Sequence, residues 1–165
     1  VTTLLMPPGV REARPEDVAD IVAMVRELAD YEKAVDQARM TSVQLYEALF
    51  GADPPAHALV AQSGEGRVVG FALWYRTFST WDGVPGIHLE DLYVRPTRRG
   101  SGIGRGLLTA LARIATERGY SRVEWDVLRW NSPAIRFYES LEAVPQEEWL
   151  AYRLTGKTIA RLAES

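Results

Sequence analysis

The chain contains no cysteine, which excludes disulfide staples, thiolate metal sites and a cysteinyl covalent intermediate together. Histidine is scarce as well. His57 and His88 are the only two, their spacing does not suggest a ligand pair, and no metal is expected. Positive charge is not in excess: 19 Lys and Arg against 22 Asp and Glu give a net charge of −3. A chain without a strong cationic field is a poor nucleic-acid binder, whereas it tolerates a cationic small molecule. Long apolar runs are missing too. Residues 1–9 are apolar but short, lack a basic flank and contain Pro7-Pro8, so they read as a tail rather than as a secretory signal or membrane span. No membrane association and a cytoplasmic setting are expected.

What is present describes a globular protein. A composition of 47% hydrophobic and 25% charged residues over 165 positions is enough for one substantial core. No repeat or low-complexity stretch divides the chain, so residues 10–165 are expected to form one domain. Residues 10–13 read as a short strand, and Pro15 sits where a helix can begin, carried on by Val18, Ile21, Val22, Val25 and Leu28 at helical spacing. A second helix is expected over 42–50 with Ser42 as its cap. Residues 58–61 and 68–78 flank a turn at 63–66 and form a hairpin; a further turn at 82–86 leads to a strand over 87–94. Ile103, Leu107, Leu108, Leu111, Ile114 and Ala115 trace one face of a helix ending near Gly119. A strand over 122–128 follows, then a helix capped by Ser132 with Pro133 at its first position and Ile135, Tyr138 and Leu141 facing inward. A strand over 149–154 and a short helix over 159–162 close the chain. The order is mixed: hairpins before residue 96, β-α units after it.

The segment Arg98-Arg99-Gly100-Ser101-Gly102-Ile103-Gly104 lies between a strand and an amphipathic helix. Glycines let backbone N–H groups converge, and a helix N-terminus adds partial positive charge, a combination that binds pyrophosphate. The same pattern also fits an ordinary strand-to-helix turn with exposed arginines. The nucleoside-triphosphate loop fails for want of Gly-Lys-Ser/Thr. A dinucleotide fingerprint would want a small residue at Leu107, although Glu124 lies at about the right distance for a ribose contact.

Arg99, Gly102 and Gly104 fit the Arg/Gln-x-x-Gly-x-Gly/Ala pattern, and here the segment 94–106 resembles the acyl-CoA-binding motif of the GNAT superfamily of N-acetyltransferases. Further segments resemble its diamine (spermidine/spermine) N-acetyltransferase family in order: residues 27–32, 69–72, Leu89-Glu90-Asp91-Leu92-Tyr93-Val94, Trp130-Asn131 and Phe137-Tyr138. Ser79-Thr80-Trp81, 127–131 and 149–163 are more similar to the thialysine N-acetyltransferase branch. One departure stands out: where the family usually has Leu-Gly-Ala, this chain has Leu141-Glu142-Ala143, which costs roughly a kcal/mol if the site is left-handed, or sends the loop along another path.

The resemblance implies an α/β (α+β mixed) domain with a central twisted, mostly antiparallel sheet flanked by helices, and acetyl-CoA as co-substrate. It implies that the backbone of Arg99, Gly100, Ser101, Gly102, Ile103 and Gly104 holds the pyrophosphate. A bulge near Glu90 would let Glu90 and Asp91 serve one site and free N–H groups around Leu92, Tyr93 and Val94 for the thioester carbonyl. Glu90 matches the family's proposed base, directly or through water. Tyr138 is the candidate acid for the departing thiolate, against its reading as a core aromatic, and Asn131 is a coenzyme contact or a helix cap. Position-matching puts Glu32, Trp81, Glu90 and Asp91 around the amine, where carboxylates and an indole suit an ammonium. Tyr31 and Trp149 are ambiguous; Trp125 and Trp130 are assigned to structure. The expected substrate is a thialysine-like diamino acid, with the Ser79 and Thr80 hydroxyls as candidates for its carboxylate. Polyamine acetylation and a non-catalytic acyl-CoA sensor are the alternatives. Relatedness further implies a homodimer.

Overall fold

The period-two runs become a five-stranded open sheet. Its strands are β1 (Val10–Glu12), β2 (His57–Gln62), β3 (Val68–Ser79), β4 (Val84–Val94) and β5 (Val123–Glu124), lying side by side in chain order. Tight connections make β2, β3 and β4 antiparallel, β1 joins antiparallel to β2, and β5 returns after a helix to pair parallel with β4. The helices are α1 (Val18–Tyr31), α2 (Ser42–Phe50), α3 (Ile103–Arg118), α4 (Ser132–Ser140) and α5 (Lys157–Ala163). This computed structural model describes residues 5–165. Contacts divide them into two compact units, one reaching to Asp126 and the other spanning Val127–Ser165.

In the first unit, alternation along the strands sends side chains to two helix-covered faces. On one, Val18, Ile21, Val22 and Met24 of α1 and Leu45 and Leu49 of α2 pack with Ala58, Val60, Phe71 and Tyr93. On the other, α3 lies against the sheet through its buried Leu107, Leu111 and Ile114. Each large side chain so buried contributes about 1.5–3 kcal/mol. Asp17, only 3% exposed, locks β1 to the start of α1. It accepts from Arg11 Nη1 at 2.7 Å and Nη2 at 3.0 Å and from the Arg14 N–H at 2.7 Å. Burial pushes this carboxyl up, but the guanidinium and the N–H outweigh it and hold it below the usual range.

Several boundaries differ from the sequence expectation. Thr41, not Ser42, caps α2, its hydroxyl accepting from Gln44 N–H while the Gln44 side chain accepts from the Thr41 N–H. The hairpin turn falls at residues 80–83, so Pro85 and Gly86 lie inside β4, near its start where proline is tolerated. The strand expected over 122–128 shrinks to Val123–Glu124, because it runs beside β4 for only two residues. Residues 149–154 are not a strand: an apolar run favours extended chain, whereas a ladder needs a neighbouring backbone. Asn131 rather than Ser132 caps α4, accepting from Ala134 N–H at 3.4 Å. Ile135, Tyr138 and Leu141 are half-buried. Among the described residues no helix is long and apolar enough to cross a membrane.

The Leu141-Glu142-Ala143 departure resolves in favour of strain. Glu142 takes φ +64°, and α4 closes through Glu142 N–H to Glu139 C=O and Ala143 N–H to Tyr138 C=O, the bond pair in which glycine normally holds the left-handed place. The chain keeps the path and bears the cost. Glu142→Gly is expected to raise the unfolding free energy by about 1 kcal/mol. Glu139→Gly, inside the helix, is expected to lower it by a similar amount. Urea denaturation of both variants checks the pair.

Candidate active site

The site begins with one extra residue. Leu73 pairs with Asp91 and Trp74 with Leu89, so Glu90 has no partner of its own and bulges from β4. The bulge shifts the phase of everything after it. Ile87 N–H points outward to Arg122 C=O of the β5 side, whereas Arg95 N–H points inward to Val69 C=O. Alternation counted back from Arg95 then directs the N–H groups of Leu92 and Val94 outward. Because β5 pairs only with Ile87 and His88, that stretch of the β4 edge carries no paired strand among the described residues. Two backbone donors therefore face an open edge, as expected for groups that stabilise a developing oxyanion.

The same shift moves Asp91 to the face covered by α1, opposite to that of Leu89. There it meets Glu32, the residue that ends α1. Burial first, then the charges of Glu90 and Glu32, push the Asp91 carboxyl up to about 6. Burial likewise raises Glu32. Glu90 keeps its side chain 55% exposed, with Oε2 3.7 Å from His88 Nε2. The His88 ring lies 4.9 Å from that of Tyr75. The charges of Glu32 and Glu90 thus both act on Asp91, an acidic setting that favours a cation and supplies a proton acceptor. The fourth residue expected there is placed differently. Trp81 sits 80% exposed at the tip of the β3–β4 hairpin, about 20 Å along the ladder from the bulge, with Ser79 and Thr80 beside it.

Where β4 ends, the glycine-rich loop starts. Gly100 has φ +78° and Gly102 φ +84°, and a Cβ at either would meet nothing within 4 Å. Both are turned in the left-handed sense in front of open space. Gly102 precedes α3 with no side-chain cap, so helix geometry leaves the N–H groups of Ile103, Gly104 and Arg105 without intrahelical partners. This cradle of backbone donors fits a pyrophosphate. Arg99 departs from that role in part: its N–H donates to Pro96 C=O at 3.4 Å, and its Nε to Val94 C=O at 3.0 Å. Its guanidinium carbon lies 5.2 Å from the Tyr31 ring centroid and 5.4 Å from that of Tyr93. Tyr93 itself is buried, burial followed by Glu27 pushes its phenol up, and the same alternation turns its N–H inward to β3, so Tyr93 offers no donor at the open edge. The Arg99–Tyr31 contact was missed by sequence reasoning, although Glu27 and Tyr31 stand four apart on α1 and share a face.

In the second unit, Tyr138 lies on α4 with its ring 5.5 Å from that of Phe137, and Asn131 is buried as the helix cap. Trp125, in the first unit, and Trp130 lie on either side of the unit boundary, and Trp149 is 66% exposed. His57 stacks on Trp74 at 4.5 Å, and burial followed by Arg118 disfavours its protonation. Among the described residues no group of three His, Cys, Asp or Glu could hold a metal ion.

A split sheet edge running into a glycine cradle at a helix start defines an acyl-coenzyme-binding transferase fold. Comparison with known proteins agrees. Residues 21–142 match the model of the Acetyltransferase (GNAT) family. Thialysine N-epsilon-acetyltransferase of Mus musculus is 39% identical over 164 residues, covering 93% of this chain and 96% of that protein. Spermidine/spermine N(1)-acetyltransferase-like protein 1 of Homo sapiens is 31% identical over 93% of this chain but only 23% of its own length. Among solved structures, an integron cassette protein from the mobile metagenome of V. cholerae superposes with a TM-score of 0.78 at 28% identity, covering 94% of this chain and 97% of that one. The chain belongs to the GNAT acetyltransferase family, and it is an N-acetyltransferase that uses acetyl-CoA.

The raised Asp91 carboxyl has a thermodynamic consequence. The folded state holds this proton more tightly than the unfolded chain, so the associated stability is full below the ordinary carboxylate range and lost as pH rises through about 6. Asp91→Asn, which cannot ionise, is expected to raise the unfolding free energy near pH 8 by roughly 2 kcal/mol and to change it little near pH 4. Denaturant titrations at the two pH values measure the difference; an equal effect at both would contradict a buried, proton-retaining carboxyl.

Proposed function

We propose that this enzyme transfers an acetyl group from acetyl-CoA to a primary amine of a small cationic substrate, thialysine or a related diamino acid, by direct transfer in a ternary complex. The observation that carries the reading is the bulge at Glu90, which turns Asp91 to the face of Glu32 while the β4 edge beyond it stays open toward the glycine loop. The name and 39% identity of the mouse relative support the choice of amine. Acetyl-CoA supplies the acetyl group as a reactive thioester. Backbone donors of Gly100, Ser101, Gly102, Ile103 and Gly104 bind its pyrophosphate, and the N–H groups of Leu92 and Val94 polarise the carbonyl.

Glu32, Glu90 and Asp91 bind the substrate as a cation. Glu90, directly or through water, takes the ammonium proton so that the nitrogen can attack, a step required because such amines are protonated at neutral pH. Tyr138 donates a proton to the leaving sulfur, and Asn131 contacts the coenzyme. Trp81 serves the amine site within a homodimer, in a cytoplasmic setting. The human relative's name favours a second reading, spermidine or spermine as the acceptor, which the same carboxylates would also bind.

Purified protein incubated with acetyl-CoA and thialysine, lysine, ornithine, spermidine or spermine, followed by thiol release and mass spectrometry, separates the readings. Thialysine is expected to turn over fastest. Glu90→Gln and Tyr138→Phe are each expected to lower kcat by about 10²- to 10⁴-fold. A preference for spermidine would move the enzyme to polyamines, and unimpaired Tyr138→Phe would remove the proposed acid.

A further inference from the structure

We propose that Arg99 is a positioning residue whose side chain couples coenzyme binding to amine binding, rather than a phosphate ligand. The inference rests on the acetyl-transfer reading above and concerns how its two subsites are held together. Arg99 opens the glycine loop, yet its guanidinium turns toward β4 and the end of α1. Nε donates to Val94 C=O at 3.0 Å, at the end of β4, and the guanidinium carbon lies 5.2 Å from the Tyr31 ring centroid and 5.4 Å from that of Tyr93. A guanidinium this close to two tyrosine rings is attracted to both, and it also hydrogen-bonds the Tyr93 phenol, which a planar fork of donors suits better than an ammonium would.

The three anchors join different parts of the site. Val94 supplies an outward N–H of the open edge. Tyr93 is buried in the core beneath α1. Tyr31 is the last residue of α1 and is followed directly by Glu32. There the helix ends through Lys33 at φ +58°, with Lys33 N–H bonded to Asp30 C=O and Ala34 N–H to Ala29 C=O. Glu32 is thus fixed on both sides, by the left-handed closure after it and by the Tyr31–Arg99 contact before it. A second arginine reinforces the seam: Arg95 reaches α1 through Glu27 at 3.4 Å and Asp20 at 3.6 Å, and donates to Val68 C=O at 3.1 Å. The loop that receives pyrophosphate and the helix end that presents an amine-binding carboxylate therefore move as one body. Occupying either site orders the element that the other requires, and linkage makes this effect mutual.

The test uses Tyr31, which is 38% exposed at a helix end and so can be changed without opening the core. Coenzyme A affinity is measured by calorimetry, and amine KM and kcat by thiol release, for wild type, Tyr31→Phe, Tyr31→Leu, Arg99→Met and the Tyr31→Leu/Arg99→Met pair. Tyr31→Leu is expected to weaken coenzyme A by about five- to thirty-fold and to raise the amine KM in the same range, with kcat at saturation within about three-fold of wild type. Tyr31→Phe keeps the ring and is expected to stay within about two-fold on both measures. The double variant should be no worse than Arg99→Met, since both changes break one contact. Undiminished coenzyme affinity in Tyr31→Leu, a rise in amine KM alone, or additive losses in the pair would each overturn the coupling. Failure of the wild type to bind coenzyme A at all would instead strike the acetyl-transfer reading itself.

Discussion

A single unpaired residue in β4 sets the phase of the whole site. Upstream of Glu90 the strand sends Ile87 and Leu89 toward α3; downstream, Asp91 and Tyr93 face α1. Without the extra residue, Asp91 would point among the apolar side chains under α3, where an unpaired carboxylate is costly. The outward N–H groups would also change, from Leu92 and Val94 to their neighbours. One insertion thus decides which carboxylate meets Glu32 and which donors reach the free edge. It is a device for re-aiming side chains where regular alternation would keep them apart.

The free edge is useful only because the loop begins where it ends, and packing fixes that distance. A Cβ at Gly70 would lie 3.0 Å from Tyr93 O and 3.3 Å from Ile103 Cγ2. β3, β4 and the first residue of α3 therefore meet with no room for a methyl group. The helix start is seated directly on the strand that carries the bulge, and arginines from the same connection tie it to α1. Cradle, edge and carboxylates share one rigid frame rather than three flexible loops.

Much of this frame was legible in the sequence, for identifiable reasons. Helical spacing of apolar residues located α1, α2 and α3, and a glycine-punctuated strand-to-helix join located the cradle. The bulge was reachable only through the family resemblance, since two adjacent carboxylates on a regular strand would point to opposite faces. What escaped depends on neighbours that a linear pattern does not name. The largely apolar residues 149–154 form no ladder, and β5 stops after two residues, since a strand is defined by the backbone beside it. The side-chain direction of Arg99 was equally hidden: its loop position suggested phosphate, whereas the two tyrosines that claim it come from α1 and β4. The separation of Trp81 from Glu32 and Asp91 follows from the length of a hairpin that runs well past the bulge.

The crowding of negative charge around Asp91 also bears on how a catalytic cycle ends. The charges of Glu90 and Glu32 act on Asp91, and burial together with that repulsion raises it to about 6. In the proposed reading, a cationic substrate held by these carboxylates relieves the repulsion while it is bound. Acetylation turns its ammonium into a neutral amide, and the relief disappears. The reaction thus converts a favoured guest into an indifferent one at the place where it is held. In that reading, product departure follows from the same electrostatic imbalance that recruits the substrate, and the empty site is left poised for the next cation.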